Sequence, residues 1–414
     1  MKILNKARAL RDSLAEKRSE RKRLRGPADL RYAIADTLAM LDAGAWDTLT
    51  ADAGFFMSRA YLAALEPVLP VNITPRYALI FGEDGKPAAV VYMQIAEISV
   101  AQARPQNSKI GEGRLNKLAA RATQRVLTCG NLLAYGQHGV AFAPGVDVDL
   151  AWHGVAEVLY RVREADKLRG STHFVLIKDI HEPYTKAASS LKNLSYRYVE
   201  TEPNMVLALG DKWKSYDDYL ASLASKYRSS VRNAVFKRID EAGCTVELLS
   251  EVAAHGPRIH ALYQSVQANA DFRPYLLRAE YFPALQRMAG SRLRCSVIKR
   301  GDALLGFLMT LADGDTAIVY HIGFDREAAA DLPVYLRLLH EGIADALALG
   351  CKQVSFGRTA LDPKAALGAK PEKYGVLLRH RQPVLNKLIK RLLLSIEHEE
   401  APERNPFKKA ANAG

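Results

Sequence analysis

The chain has 414 residues, with 58 Lys and Arg against 45 Asp and Glu, and therefore a formal net charge of +13. Apolar residues make up 49% and charged residues 25% of the sequence, a composition that excludes an intrinsically disordered protein and indicates a folded globular one. The length is large for one hydrophobic core and suits two domains.

Much of the positive charge lies near the N-terminus. Residues 1–31 contain eleven Lys or Arg and four Asp or Glu, and apolar residues recur among them at helical spacing. We therefore predict a basic helical arm over residues 1–44. Such an arm suits an anionic partner: a phospholipid surface, a nucleic acid or a phosphorylated ligand. The simpler alternative is a basic helix that is only solvated.

Cysteine content and hydropathy argue against several other classes. The four cysteines, Cys129, Cys244, Cys295 and Cys351, form no C-x-x-C pair, so we predict neither a metal site nor a disulfide framework. The N-terminus has charge but no apolar segment of a secretory signal, and no run approaches eighteen apolar residues. We therefore expect a cytoplasmic protein.

A strand, a helix and a second strand are predicted in the C-terminal third. Residues 316–325 are apolar and β-branched and contain Tyr320 and His321 near their end, which predicts a strand. Residues 332–350 show helical spacing, with Pro333 in the first turn and Gly350 at the end. Another strand follows at residues 352–356. The start of such a helix suits an anionic ligand, because its amides and its dipole attract negative charge.

A similar pattern occurs earlier in the chain. Apolar residues 126–135 precede His138, a predicted helix through residues 155–162 and a predicted strand at residues 174–177. A predicted hairpin stands upstream of each unit, at residues 77–93 and 295–309. We predict two similar domains in tandem, at residues 45–210 and 211–400, with a basic insertion at residues 97–124 and a tail at residues 401–414. The alternative is that a common α/β pattern recurs by chance.

Two further helices are predicted to be basic. Residues 219–242 predict a helix with one apolar side, and the rest of its surface carries Lys and Arg. This charge favours either contact with phosphates or simply solubility. Residues 384–393 mix apolar and basic residues and predict a basic amphipathic helix. This second helix either packs on the core or, with the N-terminal arm, binds anionic headgroups.

Four segments together resemble a known family. They are the Lys226-Tyr-Arg-x-x-Val-Arg-Asn-Ala helix, the hairpin, the strand end Tyr320-His-x-Gly-Phe-Asp and the segment Gly357-Arg-Thr-Ala-x-x-x-Lys364. Over residues 46–393 the chain is similar to the FemAB-type branch of the GNAT acyltransferase superfamily. The resemblance implies an α/β (α+β) fold with two tandem GNAT-like domains, whose mixed sheets are flanked by helices. The family's usual pyrophosphate loop is missing after Phe324.

The resemblance also implies transfer of an acyl group to an amine, with acyl-CoA as co-substrate and no permanently bound cofactor. The leading hypothesis is an acyl-CoA-dependent N-acyltransferase, peripheral on the cytoplasmic face of a membrane, that forms a ceramide-type amide with a lipid-like amine such as a sphingoid base. The second is an aminoacyl-tRNA-dependent transferase acting on a peptidoglycan precursor. The third is a non-catalytic lipid- or nucleic-acid-binding protein.

Acyl transfer to an amine requires acid and base groups. Because an amine attacks only as the free base, we predict that His321, at the strand tip, is the general base; an ordinary core histidine is the alternative. Tyr374 is the predicted acid for the leaving thiolate, and amides near Gly323 are the predicted oxyanion site. Tyr320 is expected on the opposite strand face, where it packs or orients the substrate.

Binding residues are predicted for both substrates. The donor phosphates are expected to contact Arg326, Tyr335, Arg358 and Lys364, with a structural salt bridge as the alternative for Arg358. The acceptor is expected to contact His138, which matches His321 by its place in the repeat, and also Asn269 and Asp271. In the tRNA-dependent alternative, Arg228 and Arg232 contact the nucleic-acid phosphates.

Overall fold

The structure, a computed structural model, describes residues 26–99, 123–181, 184–270, 273–327, 330–394 and 404–408, together with residues 11–16, 18, 19, 22 and 402. Within this part of the chain, strands form one sheet of eight and one of seven, and helices flank both. The predicted fold class, a mixed α/β protein with two mixed sheets, is therefore confirmed.

The first sheet is built mainly from the N-terminal half. Its strands are β1 Arg31–Ala35, β2 Ile73–Phe81, β3 Pro87–Ser99, β4 Thr123–Cys129, β5 Val140–Phe142, β6 Phe174–Ile180, β7 Arg197–Glu200 and β15 Gly375–His380. They are ordered β1-β2-β3-β4-β6-β15-β7, and β5 pairs with β3. The neighbours β4 and β6 run parallel, whereas β2 and β3 form the predicted antiparallel hairpin.

The second sheet repeats this arrangement. Its strands are β8 Asn204–Ala208, β9 Cys244–Leu248, β10 Leu293–Arg300, β11 Ala303–Asp313, β12 Thr316–Phe324, β13 Gln353–Ser355 and β14 Lys370–Glu372. They are ordered β14-β8-β13-β12-β11-β10-β9. β12 and β13 run parallel, and β10 and β11 form the other predicted hairpin.

The helices follow the apolar periodicity of the sequence. They are α1 Ala43–Thr50, α2 Arg59–Leu65, α3 Val148–Ala165, α4 Tyr184–Ala187, α5 Tyr216–Ser222, α6 Ser225–Ser230, α7 Lys237–Glu241, α8 Gly256–Gln267, α9 Tyr281–Ala289, α10 Val334–Ala348, α11 Leu361–Ala366 and α12 Pro383–Leu394. The π-helical segment Val231–Phe236 joins α6 to α7. None of the described helices is long and apolar enough to cross a bilayer.

Each sheet contains one strand from the other half of the chain. β15, near the C-terminus, lies between β6 and β7 of the first sheet, whereas β8, which precedes the predicted boundary at residue 210, lies between β14 and β13 of the second. The two strands occupy equivalent places, each antiparallel to the strand that follows the long helix of its sheet. The halves are therefore joined by exchanged strands, and a division at residue 210 separates neither sheet cleanly.

A shared core joins the two halves. One hydrophobic cluster combines Trp46, Phe56 and Tyr61 from the first half with Phe307 and Tyr320 from the second. Phe56 contacts Tyr320 across the boundary, with ring centroids 5.2 Å apart. Because interiors of this kind are close-packed, the surfaces between the halves are held in fixed positions.

Two predicted helices differ from the structure. The helical arm over residues 1–44 is wrong in its second part, because residues 31–35 form β1 and pair antiparallel with β2, so that pairing with a neighbouring strand overrides local preference. Residues 11–16 are helical, whereas residues 1–10 lie outside the described part. The helix predicted over residues 219–242 is interrupted at Ala224, whose N–H donates to the carbonyl oxygen of Pro406.

The predicted basic insertion falls between β3 and β4. β3 ends at Ser99 and β4 begins at Thr123, so residues 100–122 lie outside the described part of the chain. The equivalent strands of the second sheet, β11 and β12, are separated only by Gly314 and Asp315. The extra length of the first half is therefore located at this connection.

Candidate active site

β12 extends beyond its pairing with β13. Residues 316–318 pair in parallel with residues 353–355, and β12 then continues to Phe324. Among the described residues, no strand pairs with this edge of residues 319–324. An extended ligand therefore has access to backbone N–H and C=O groups along the edge. In the first sheet, by contrast, β4 pairs with β6 through its last residue, Cys129 with Ile177.

A β-bulge lies where β12 leaves β13. Met309 of β11 is opposite His321, but Thr310 is opposite Val319, so Tyr320 is the extra residue. The expectation that Tyr320 and His321 point to opposite faces is therefore wrong, because the bulge interrupts the alternation and brings their ring centroids to 4.1 Å. A bulge also leaves backbone groups outside the ladder, which suits the binding of an acyl oxygen.

The helix that follows β12 starts without a side-chain cap from its N-cap residue. α10 begins after Pro333, which makes no capping hydrogen bond. In the first half, Asp147 caps α3 and accepts hydrogen bonds from the N–H groups of Asp149 and Leu150 at 3.0 and 3.1 Å. Because the start of a helix attracts negative charge, α10 can accept an anionic ligand, whereas a carboxylate already occupies that place in α3.

Two predicted donor-binding residues lie near the start of α10. The Arg326 guanidinium lies 5.7 Å from the centroid of the Phe324 ring, and the Tyr335 ring lies 6.0 Å from the same ring. Arg326 is exposed. Burial raises the pKa of Tyr335 to about 12, so its hydroxyl stays protonated near neutral pH and can donate. The structure thus places a cation and a hydroxyl donor around the Phe324 ring, close to the start of α10.

The other two predicted donor contacts lie elsewhere. Arg358 forms an ion pair with Asp179 of the first half. Lys364 is 3% exposed, and burial lowers its pKa to about 7, so the amine is largely neutral just above neutral pH. Neither environment favours phosphate binding, and the structural salt bridge considered for Arg358 is present.

The surroundings of His321 oppose a role as general base. Its ring packs against Tyr281 and Phe282, with centroids 5.3 and 5.7 Å away, and its Nε2 lies 3.3 Å from the Tyr281 hydroxyl. Burial lowers the pKa of His321 to about 3, which makes it a weak base for an ammonium whose ordinary pKa is near 10. The predicted catalytic role of His321 stays a prediction.

Gly323 is explained by packing. A Cβ atom there would lie 2.7 Å from the backbone nitrogen of Tyr263 in α8 and 2.4 Å from the Phe307 ring. Only a residue without a side chain allows α8 to approach β12 this closely. The predicted oxyanion role of this glycine therefore has no separate support.

A cavity of about 500 Å³ lies between the two halves, beside the point where β12 and β13 separate. Its wall includes Ile318 and Ser355, the last paired residues of those strands. Among the described residues that line it are three carboxylates but no Lys or Arg: Asp52, Asp313 and Glu372. In a chain with a net charge of +13, this wall is acidic and favours a cation.

Tyr374 belongs to this cavity wall. Its ring lies 5.0 Å from the His181 ring, and the Arg358 guanidinium lies 5.4 Å from its centroid. Burial raises the pKa of Tyr374 to about 12. The phenol therefore stays protonated near neutral pH and can give a proton to a leaving thiolate, the role predicted for it, which stays a prediction.

A buried ion cluster holds one side of the cavity. Asp179 is fully buried, pairs with Lys178 and Arg358, and accepts a hydrogen bond from the Gly136 N–H at 2.9 Å. Burial alone would raise the pKa of Asp179, but the two cations lower it overall. Asp179 also has a left-handed φ of 54°, an uncommon backbone conformation for a residue other than glycine. The cluster fixes the loop before His138 to the second half.

The remaining predicted contacts are distributed over the surface and the cavity. His138 lines the cavity. It is not equivalent to His321, because it lies in the loop nine residues after β4 ends, whereas His321 lies within β12. Arg228 donates to the Ala221 and Leu223 carbonyls and so stabilises the end of α5. Arg232 and Asn269 are exposed, and Asp271 lies outside the described residues.

Local sequence patterns do not mark the three cavity carboxylates or Asp179 as residues of a site. Asp313 accepts a hydrogen bond from the Phe55 N–H at 2.6 Å, across the boundary between the halves. In the sequence, Asp313 precedes Gly314 and Asp315 and has the composition of a turn. Only the packing of the two halves places it in a site.

Comparisons with known proteins agree with this architecture. Residues 225–373 match the family model described as an Acetyltransferase (GNAT) domain. A tandem GNAT protein from the clavulanic acid biosynthesis pathway is similar in structure, with a TM-score of 0.50 and 14% identity over 86% of this chain and 99% of that one. FemX has a TM-score of 0.48 and 14% identity over 80% and 94% of the two chains. L-PGS from Bacillus licheniformis has a TM-score of 0.47 and 12% identity over 85% and 96%.

The similarity to the tandem GNAT protein concerns the fold, and no curated protein matches the chain in sequence. The chain has two tandem GNAT-like domains, and the family match lies in the second, which contains the unpaired edge of β12 and the start of α10. The similarity in sequence to a GNAT acetyltransferase domain extends over residues 225–373.

Proposed function

We propose that this protein transfers an acyl group from acyl-CoA to a primary amine. The observation that carries the proposal is the opening along residues 319–324 of β12, which meets an acidic cavity at Ile318 and Ser355. The extended part of the donor pairs with the β12 edge, and its phosphates lie near Arg326 and the start of α10. The amine enters from the cavity, attracted as an ammonium by the three carboxylates.

The chemistry is a direct transfer. The ammonium first loses one proton to solvent, because only the free amine is a nucleophile. Its nitrogen attacks the thioester carbonyl, the C–N bond forms and the C–S bond breaks. Tyr374 gives its proton to the thiolate, and the second proton lost by the nitrogen restores the phenol. Backbone groups at the Tyr320 bulge stabilise the oxyanion.

A lipid-like amine such as a sphingoid base is the proposed acceptor, which makes the product a ceramide-type amide. The support comes from α12, whose Val384, Leu385 and Leu388 are 71%, 41% and 42% exposed beside basic residues. An exposed apolar stripe on a basic helix suits the surface of an anionic bilayer, where the acceptor would be dissolved. Binding to phosphatidylglycerol vesicles but not to phosphatidylcholine vesicles, reduced by Leu388→Ser, is the expected result.

Transfer from aminoacyl-tRNA is the second candidate. The basic segment of residues 225–241 favours it, because Lys226 and Arg232 are exposed there. Arg238 of the same segment donates a hydrogen bond to the carbonyl oxygen of Asp331, in the loop before α10. Nucleic-acid phosphates could therefore run beside the donor opening. Against this candidate, Arg228 is already used within the fold.

The two donors are separated by one assay. Purified protein is incubated with palmitoyl-CoA and with sphinganine, octadecylamine or leucinol, while free thiol and new amide are measured by absorbance and mass spectrometry. We expect one thiol for each amide, and no thiol release without an amine. Transfer from charged tRNA with no reaction of acyl-CoA would replace the leading proposal. Inactivity with both donors would support a binding protein.

A further inference from the structure

Residues 404–408, which we call the strap, lie against the break between α5 and α6. The N–H of Ala224 donates to the carbonyl oxygen of Pro406 at 2.8 Å, and the N–H of Lys408 donates to the carbonyl oxygen of Ser222 at 3.0 Å. The strap and the break thus pair as a short antiparallel bridge. The strap is therefore bound through backbone groups, as a strand binds to a sheet edge.

Phe407 anchors the strap to the second half. Its ring packs against Trp213 and Tyr219, with centroids 5.6 and 6.3 Å away. A Cβ atom on Gly368 would lie 2.4 Å from this ring, so the close approach requires a glycine. Pro406, the preceding residue, is buried. This surface is therefore shaped to hold a Pro-Phe pair in extended conformation.

The break between α5 and α6 has no cause in the local sequence. Residues 216–230 contain no Gly or Pro, and both residues at the break, Leu223 and Ala224, are strong helix formers. They are nevertheless extended, with ψ angles of 144° and 149°. The break therefore depends on a contact from outside the segment, and the strap supplies one.

The strap uses backbone groups that a continuous helix would use for itself. In such a helix, the N–H of Ala224 would donate to the carbonyl oxygen of Leu220, and the N–H of Lys226 would donate to that of Ser222. The strap takes the Ala224 N–H and the Ser222 carbonyl oxygen instead. A bound strap and a continuous helix over residues 216–230 are therefore mutually exclusive.

The direction of α6 affects the start of α10. Beyond α6, the π-helical segment ends at Phe236, whose ring centroid lies 4.1 Å from the Arg337 guanidinium of α10. Arg238 of α7 donates to the carbonyl oxygen of Asp331, in the loop before α10. Because residues of α5 lie in the core of the second half, joining α6 to α5 would turn α6 and displace both contacts.

We infer that the strap is a conformational switch for the start of α10. When bound, it keeps α5 and α6 apart and holds α7 against the loop before α10. When it is released, α5 and α6 join into one helix, and a ligand at the start of α10 binds more weakly. Two hydrogen bonds with the strap are exchanged for two within the helix, so the contacts of Phe407 decide between the states. The inference rests on the proposed function only where it assigns the acyl donor to α10.

Release of the strap is tested by hydrogen exchange, without any ligand. Phe407→Ser in the full chain should speed exchange at residues 404–408 and slow it at residues 225–227, because the N–H of Lys226 gains a helical partner. Faster exchange at both places would show that the break only frays, and unchanged exchange would show that Phe407 does not hold the strap; either result overturns the inference. If Phe407→Ser does not fold, Phe407→Leu should give the same changes in smaller measure.

A second substitution separates a switch from the simple loss of a contact. Ala224→Pro excludes a continuous helix, because proline lacks the N–H and is not accommodated inside a helix. The φ angle of −60° at Ala224 and the extended Leu223 before it both suit proline. With Ala224→Pro, the break therefore persists whether or not the strap is bound.

Titration calorimetry with acetyl-CoA then measures the effect on α10. We expect binding to Phe407→Ser to be roughly tenfold weaker than to the wild type, and the double variant Phe407→Ser/Ala224→Pro to return to within about twofold of it. Lys408→Ala, at an exposed side chain that keeps its backbone N–H, is the control and should bind as the wild type does. Wild-type affinity in Phe407→Ser, or equal weakening in the single and double variants, would overturn the inference. If the wild type itself does not bind acetyl-CoA, the proposed function is contradicted, whereas opposite changes in hydrogen exchange would still support the switch.

Discussion

The two halves of this protein share a sheet order but differ where a GNAT-type donor would bind. In the second half, β12 continues for six residues beyond its pairing with β13, and α10 starts without a capping side chain. In the first half, β4 is paired to its last residue and Asp147 caps α3. The comparison teaches that a repeated scaffold can leave a strand edge and a helix start open in one copy and close both in the other.

The first half contributes to the site through its loops. Gln137 and His138 lie between β4 and β5, and Asp52 follows α1. These residues face the second sheet because Asp179 and Arg358 join the halves. The first half therefore contributes residues to the cavity although its own strand edge and helix start are closed.

The largest expected effect tests this connection between the halves. Asp179→Ala leaves Lys178 and Arg358 buried without their counter-charge, so the free energy of unfolding should fall by roughly 3–5 kcal/mol. Urea denaturation measures it. The control is Lys352→Ala, which breaks an exposed pair with Asp315 and should change stability little. Similar small losses in both variants would contradict a structural role for the cluster.

The next effect concerns the shared cavity. Tyr374→Phe removes the proposed proton donor and should lower kcat roughly 100-fold with little change in KM, as measured by thiol release. Because the pKa of Tyr374 is about 12, ionisation of this phenol should not reduce activity between pH 7 and 10. Tyr160→Phe, at an exposed tyrosine of α3, is the control. An unaltered kcat would remove Tyr374 from the mechanism.

A smaller effect comes from the part of β12 that has no counterpart in β4. The pKa of His321 is lowered from 6.5 to about 3 in the folded protein, so between those values the unfolded chain binds more protons. The free energy of unfolding therefore includes the full contribution of the neutral histidine above pH 6.5, and this contribution is lost as the pH falls toward 3. At pH 5 the loss should be about 1–2 kcal/mol. Unfolding of His321→Phe at pH 7 and 5 should show a smaller pH dependence; an identical slope would contradict this account.

Local sequence patterns were sufficient for the elements that surround the site. The periodicity of residues 332–350 predicted α10, and the two hairpins were predicted at residues 77–93 and 295–309. Arg326 and Tyr335 were expected to contact the donor phosphates because they lie before and within the first turn of the predicted helix, and that role stays a prediction. These features depend on neighbours in sequence.

Features that depend on distant pairing were not predictable. The exchange of β8 and β15, the bulge at Tyr320 and the unpaired edge of β12 are decided by which strands meet in space. His321 was predicted to be the general base from its place at a strand tip, but burial against aromatic residues of α9 lowers its pKa. The cavity carboxylates come from three separate segments, and only tertiary packing brings them together.

The central claim is that the donor site lies in the second half. Its most direct test is calorimetric titration of acetyl-CoA into the wild type and into two variants, one changed at the start of α10 and one changed at the equivalent start of α3. Pro333→Asp gives α10 the same kind of capping carboxylate that Asp147 gives α3. Asp147→Asn removes that charge from the first half. We predict one binding site per chain, roughly tenfold weaker in Pro333→Asp and unchanged in Asp147→Asn. Two sites in the wild type, undiminished affinity in Pro333→Asp, or loss of affinity in Asp147→Asn would contradict the assignment of the donor site to the second half.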